Sequence, residues 1–217
     1  MTQAQAAARL GVSQSYLAML ERGTRPLTPE VARRAIRTLG LAPTALSPRH
    51  TDATRRQSGA HGVAGDLAAL GYPGFAHLRP RRWSPKNPAR LLLDTLERDD
   101  VEARVVEALP WLVVKHWPLD RSWLLREAKL RDLQNRLGFV VTLARGVAER
   151  AGDGDTAAAL ADLEAQLERS RLAREQTLCR PSLSEAERRW LAKHRSADAR
   201  RWNLLTDWTV DALRYAG

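Results

Sequence analysis

Gln14, Ala18 and Arg22 recur at every fourth position, so on a helix they stack one turn apart along one face, with Ser15 and Met19 beside them. The chemistry of that face is hydrogen bonding, charge and a little apolar contact. An amide offers a donor and an acceptor side by side, a hydroxyl offers either, and a guanidinium carries a fixed positive charge. Val12, Leu17 and Leu20 fall on the other side, where they would be buried. The outward set is a surface that the major groove of a duplex could meet.

Short helices must carry these residues. Residues 2–10 read as a first helix with Thr2 as its N-cap, and Gly11 supplies the left-handed residue that ends it. Ser13 caps a second helix running to Arg22, which Gly23 stops. Thr28-Pro29-Glu30 starts a third, with proline at the first helical position and an acid at the positive end of the dipole, and Gly40 ends it. Ala7 stands where the first two helices approach most closely. A helix, a glycine turn and a second helix packed at a steep angle make a helix-turn-helix.

The stretch resembles the Xre/Cro-like, phage-repressor type of helix-turn-helix regulators, through Thr2-Gln3, Ala7, Gly11-Val12-Ser13, Leu17, Leu20-Glu21-Arg22-Gly23 and Arg25-Pro26. The match is specific but covers about a fifth of the chain. The resemblance implies a DNA-contacting set of Thr2, Gln3, Ser13, Gln14, Ser15, Ala18, Met19, Arg22, Thr24 and Arg25. In it Gln3 and the residues near Gly23 would grip phosphates, while Gln14, Ser15, Ala18 and Met19 would face bases. Gln14 would be the main reader, since an amide can pair bidentately with adenine for about 1–3 kcal/mol of discrimination.

The family also has a further helix ahead of the first one, packed across the back of the others. Residues 2–40 alone fall below the roughly 40-residue size at which an unaided domain is stable. The expectation is a start upstream of Met1. A covering segment such as residues 63–70, a second subunit, or a remnant motif are the alternatives.

Charge is unevenly placed. Of 217 residues with net charge +10, residues 1–90 hold 14 Lys/Arg against 4 Asp/Glu, whereas the remainder holds 21 of each. A basic surplus confined to one end is the footprint of a polyanion partner, although 31 arginines against 4 lysines also describe a general bias. Residues 42–89 read as a basic linker rich in proline and glycine, in which Arg79, Arg81 and Arg82 could add phosphate contacts. A short helix over 63–70 could interrupt it, and Gly71-Tyr72-Pro73-Gly74-Phe75 reads as a turn that docks aromatics on a neighbouring domain.

From residue 90 onward the apolar spacing is helical. Helices are expected over 101–113, over 121–150 as one long element, over 157–178, over 184–194 with a Ser184/Glu187 capping box, and over 209–215. Asp99-Asp100 should cap one helix and Asp120 the next. Trp111, Trp117 and Trp123 mark either a core junction or a partner groove. Arg126, Lys129, Arg131 and Arg136, mixed with Glu127 and Asp132, read as a solvated face.

No enzyme is expected. His50, His61, His77, His116 and His194 are scattered singly, and the lone Cys179 has no partner at zinc spacing, so neither a metal nor a cofactor is implied. No apolar run reaches membrane-spanning length, and the one cysteine fits a reducing, cytoplasmic setting.

The fold class is all-α: a truncated, lambda-repressor-like helix-turn-helix over 1–41, the linker, and a helical bundle over 90–217 that dimerises or senses. The function expected is sequence-specific DNA binding by a dimeric repressor. The alternatives are an antitoxin whose C-terminal helices clamp a toxin, and an interaction scaffold with a degenerate head.

Overall fold

A computed structural model describes residues 1–25, 27–45, 62–78, 86–180 and 183–215. The arginines at 79, 81 and 82, together with His50 and His61, lie outside the described residues.

The first three helices are α1 (Gln3–Leu10), α2 (Gln14–Glu21) and α3 (Pro29–Leu39). Each starts on the cap its sequence announces. The Thr2 hydroxyl accepts from the Gln5 N–H while the Gln5 side chain accepts from the Thr2 N–H, a reciprocal capping box. Ser13 accepts from Tyr16 N–H and Thr28 from Val31 N–H. Gly11 closes α1 at φ 63°, and the Cβ of any other residue there would lie 2.7 Å from the Arg34 guanidinium, which donates to the Leu10 carbonyl. Ala7, Leu10, Leu17 and Ala35 form the core of this head, with Ala6, Val12 and Leu39 packed against it. Leu20, Val31 and Ile36 are half-buried.

A second, much larger core gathers the rest. Its elements are α4 (Gly62–Ala69), a 3-10 turn at Pro73–Leu78, α5 (Pro88–Leu96), α6 (Ala103–Lys115), α7 (Arg121–Leu130), α8 (Gln134–Arg150) and α9 (Gly154–Glu168). Then follow α10 (Glu185–His194), α11 (Ala197–Arg201) and a 3-10 turn at Val210–Ala212. Residues 62–78, read from sequence as part of the linker, are packed into this core through Leu67, Ala68, Leu70, Tyr72 and Phe75. The segment 63–70 therefore does not cover the head.

The body is arranged around α8, which is buried on nearly every side from Gln134 to Ala144, as expected of a central helix. At Gly138 the indole of Trp202 approaches so closely that a Cβ would sit 2.3 Å from it. Trp202 is fully buried, and its Nε1 donates to Thr142 Oγ1 at 2.8 Å.

The expected single helix over 121–150 is two helices. After α7 the chain turns at Asp132, held at φ 56°, and Leu133 N–H reaches back to the Ala128 carbonyl at 2.8 Å. That is the bond pattern of a glycine-closed helix end, here with an aspartate in the left-handed region. Asn135 secures the junction by exchanging two hydrogen bonds with the backbone of Leu172.

Three further expectations are corrected. Leu172 and Leu178 lie beyond α9, because the chain leaves the helix at Arg169 and forms a two-residue strand β1 (Gln176–Thr177), parallel to β2 (Leu204–Leu205). Asp99 does not cap α6, whose N-cap is Glu102 with no side-chain bond. It pairs instead with Arg136 at 2.5 Å. Arg136 is buried and also donates to the Leu96 and Arg98 carbonyls, and Arg131 ties Asp94, Glu97 and Glu127 together, so neither belongs to a solvated face. Asp120 and the Ser184/Glu187 box cap as expected, and Trp123 is core.

Candidate nucleic-acid interface

The helix-turn-helix surface is built by α2 and the start of α1. Because Ser13 holds the first turn of α2 and Leu17 anchors its inner face in the small core, the outer face is fixed in direction. Gln14, Ser15 and Arg22 are exposed, and Ala18 and Met19 are half-buried between them. The face expected to be fully outward is thus polar at its two ends and shallow and apolar in the middle.

The remaining residues of the set divide by what already occupies them. Thr2 and Ser13 are exposed but spend their hydroxyls on capping. Arg22 Nε donates to the Ala18 carbonyl at 3.1 Å, and the Thr24 hydroxyl donates to the Met19 carbonyl at 3.0 Å, which closes the C-terminal end of α2. Arg25 is exposed and has no ion pair among the described residues, so its charge is available.

Gln3 behaves differently from a free phosphate ligand. Its Nε2 donates to Glu21 Oε2 at 2.6 Å, and its Oε1 accepts from Gln14 Nε2 at 3.2 Å. The two glutamines that the sequence marks for separate duties are joined, and the joint is completed by Glu21. In the sequence Glu21 lies inside the motif but outside the expected contact set. Its signal is a spacing: seven residues, two turns, after Gln14 on one helical face.

The arrangement can do one thing chemically. It presents amide, hydroxyl and guanidinium groups on a short convex rod about the width of an α-helix, the element that a major groove of about 12 Å admits. It holds no nucleophile paired with a base. Among the described residues no cluster of histidine, cysteine or carboxylate side chains has the makings of a metal site. Cys179, buried in the body, has its thiol pushed up to about 12 by desolvation, which disfavours a reactive thiolate. No helix among the described residues is long and apolar enough to cross a membrane.

A family model described as helix-turn-helix matches residues 1–46, which takes in all three helices of the head. No curated protein and no solved structure matches the chain. Caps, core, outward face and family model converge on the same stretch: residues 1–46 form an Xre/Cro-like helix-turn-helix, and the chain that carries it is a DNA-binding transcriptional regulator.

Proposed function

We propose that this protein binds duplex DNA sequence-specifically with α2 as its recognition helix, and that as a dimer it represses a promoter by excluding polymerase. The observation that carries the reading is the position of Gln14: exposed on the first turn of a capped helix and held there by Gln3. In this reading Gln14 and Ser15 meet base edges, while Ala18 and Met19 offer apolar contact such as a thymine methyl accepts. Thr2, Ser13, Arg22, Thr24 and Arg25 lie around them on the phosphates, where contacts set register without carrying sequence, and Gln3 acts through Gln14. Two such heads would place their α2 helices in successive major grooves about 34 Å apart. The division of labour follows the two cores, a reading head and a helical body that pairs subunits or senses a signal. Such a regulator works in the cytoplasm, beside the DNA it reads.

The antitoxin alternative has one observation on its side. In α10 only Leu191 is buried, and Trp190 stands 51% exposed, stacked on His194, the kind of residue that anchors protein partners. A second polypeptide that co-purifies in stoichiometric amount and is encoded beside this chain would favour it.

The test of the main reading is the salt dependence of binding by the full chain to genomic fragments. A retarded complex whose affinity falls steeply with added salt, and which survives competition by random duplex on some fragments only, is the expected result. Equal competition on every fragment would contradict sequence-specific binding.

A further inference from the structure

Glu21 is the one member of the reading surface whose charge opposes DNA, and its bonding explains what it does there. On the reading above, which the inference rests on, Gln14 must present its amide in a defined orientation. Three side chains control that orientation in sequence: Gln14 Nε2 donates to Gln3 Oε1 at 3.2 Å, and Gln3 Nε2 donates to Glu21 Oε2 at 2.6 Å.

The direction of this relay is set from one end. A carboxylate accepts hydrogen bonds and has none to give, so Glu21 can be met only by the NH2 of Gln3. That turns the carbonyl of Gln3 toward Gln14, and Gln14 can meet a carbonyl only with its own N–H. What Gln14 has left is one N–H and one carbonyl, neither with a partner among the described residues. One donor beside one acceptor complements adenine, which shows an N7 acceptor and an N6 donor in the major groove. It mismatches guanine, which shows two acceptors. A glutamine without this restraint can form the same pair, but only by freezing its rotamers on binding, at a cost in side-chain entropy.

We propose that Glu21 is a positioning residue: through Gln3 it holds the Gln14 amide in the donor-and-acceptor orientation that selects adenine. Glu21 touches no base itself. Its charge weakens attraction to every duplex alike, so sequence preference and general affinity pull against each other at this one side chain. This separates a relay role from a merely structural one, because loss of structure lowers both quantities together.

The test is selection from randomised duplexes by the full-length wild-type chain, then affinity for the selected duplex, for the same duplex with the adenine pair replaced, and for a random duplex. Glu21→Gln keeps the size but can donate as well as accept, so the relay loses its fixed direction. The expected result is that adenine preference falls about tenfold, an order of magnitude within the discrimination one bidentate pair supplies, while affinity for random duplex rises. Gln3→Ala, which cuts the relay but keeps the charge, should lose the preference without that rise. In the free protein, the side-chain amide resonances of Gln14 should move in both variants, a readout independent of DNA. Undiminished adenine preference in Glu21→Gln, or Gln14 amide resonances that stay in place, would overturn the relay and leave base reading by α2 intact. A wild-type chain that selects no sequence would instead contradict the DNA-reading proposal itself, and the relay with it.

Discussion

The head and the body bury themselves in different ways. The head packs Ala7, Leu10, Leu17 and Ala35 into a shallow core and leaves Leu20, Val31 and Ile36 half-buried, so its helices depend on end caps as much as on apolar contact. The body encloses Trp202, Phe139 and a large set of leucines around α8, and buries charged groups as well. Glu164, nearly inaccessible, is held between Arg145 at 2.9 Å and Arg201 at 2.5 Å. Short helices joined by turns suit a surface that must present polar side chains outward. A deep core with paired interior charges suits a rigid platform that can hold such a surface or join two copies of it.

The contrast can be broken most forcefully at Trp202. Trp202→Ala removes the largest fully buried side chain, leaves a cavity over Gly138 and strips Thr142 of its donor, which should cost about 4 kcal/mol. Denaturant unfolding followed by tryptophan emission would register it. If the two cores are independent, helical signal from the head should persist where the body has melted, and loss of both in one transition would show that they fold as one.

In the head the corresponding cut is smaller. Leu17→Ala truncates the anchor of α2 at 8% exposure and should cost about 2 kcal/mol, at the low end for a core leucine because the site is shallow. Its signature is lost DNA binding with an unchanged melting transition for the body, and a matching fall in the body's melting temperature would erase the distinction. Ser13→Ala removes the cap of α2 and should cost about 1 kcal/mol, read as thermal loss of the head's helical signal at lower temperature and restored by Ser13→Asp.

The finest difference lies in pH response. His116 has a buried Nε2 without a partner, and desolvation holds its pKa below the ordinary histidine value, against a weaker opposing pull from the backbone at Leu70. The unfolded chain therefore binds this proton more readily than the folded one. The body should be fully stable above about pH 6.5 and lose stability as pH falls through and below that value. His116→Gln should flatten that part of the melting-temperature profile, and an unchanged slope would assign it to other groups.

What the sequence made legible divides along the same line. In the head, caps and stops are local: Thr2, Ser13, Thr28 and Gly11 bond to neighbours three or four residues away and Gly40 takes the left-handed conformation, so their types and spacing announced three helices directly. In the body the decisive contacts join residues far apart. Arg136 reaches carbonyls some 40 residues earlier, Asn135 grips Leu172, and Glu164 meets Arg145 and Arg201, none of which leaves a periodic trace. The α7–α8 break was hidden because an aspartate, not a glycine, takes the left-handed position. Even the reading surface kept one residue back, since Glu21 joins Gln3 across 18 positions and only the packing of α1 on α2 brings them together.

Base reading by α2 rests on Gln14. The most direct measurement compares Gln14→Ala with the wild-type chain by fluorescence anisotropy, on a selected duplex and on its scrambled counterpart at one salt concentration. The expected result is a loss of about 1–3 kcal/mol on the selected duplex and little change on the scrambled one. Equal losses on both, or none on either, would contradict it.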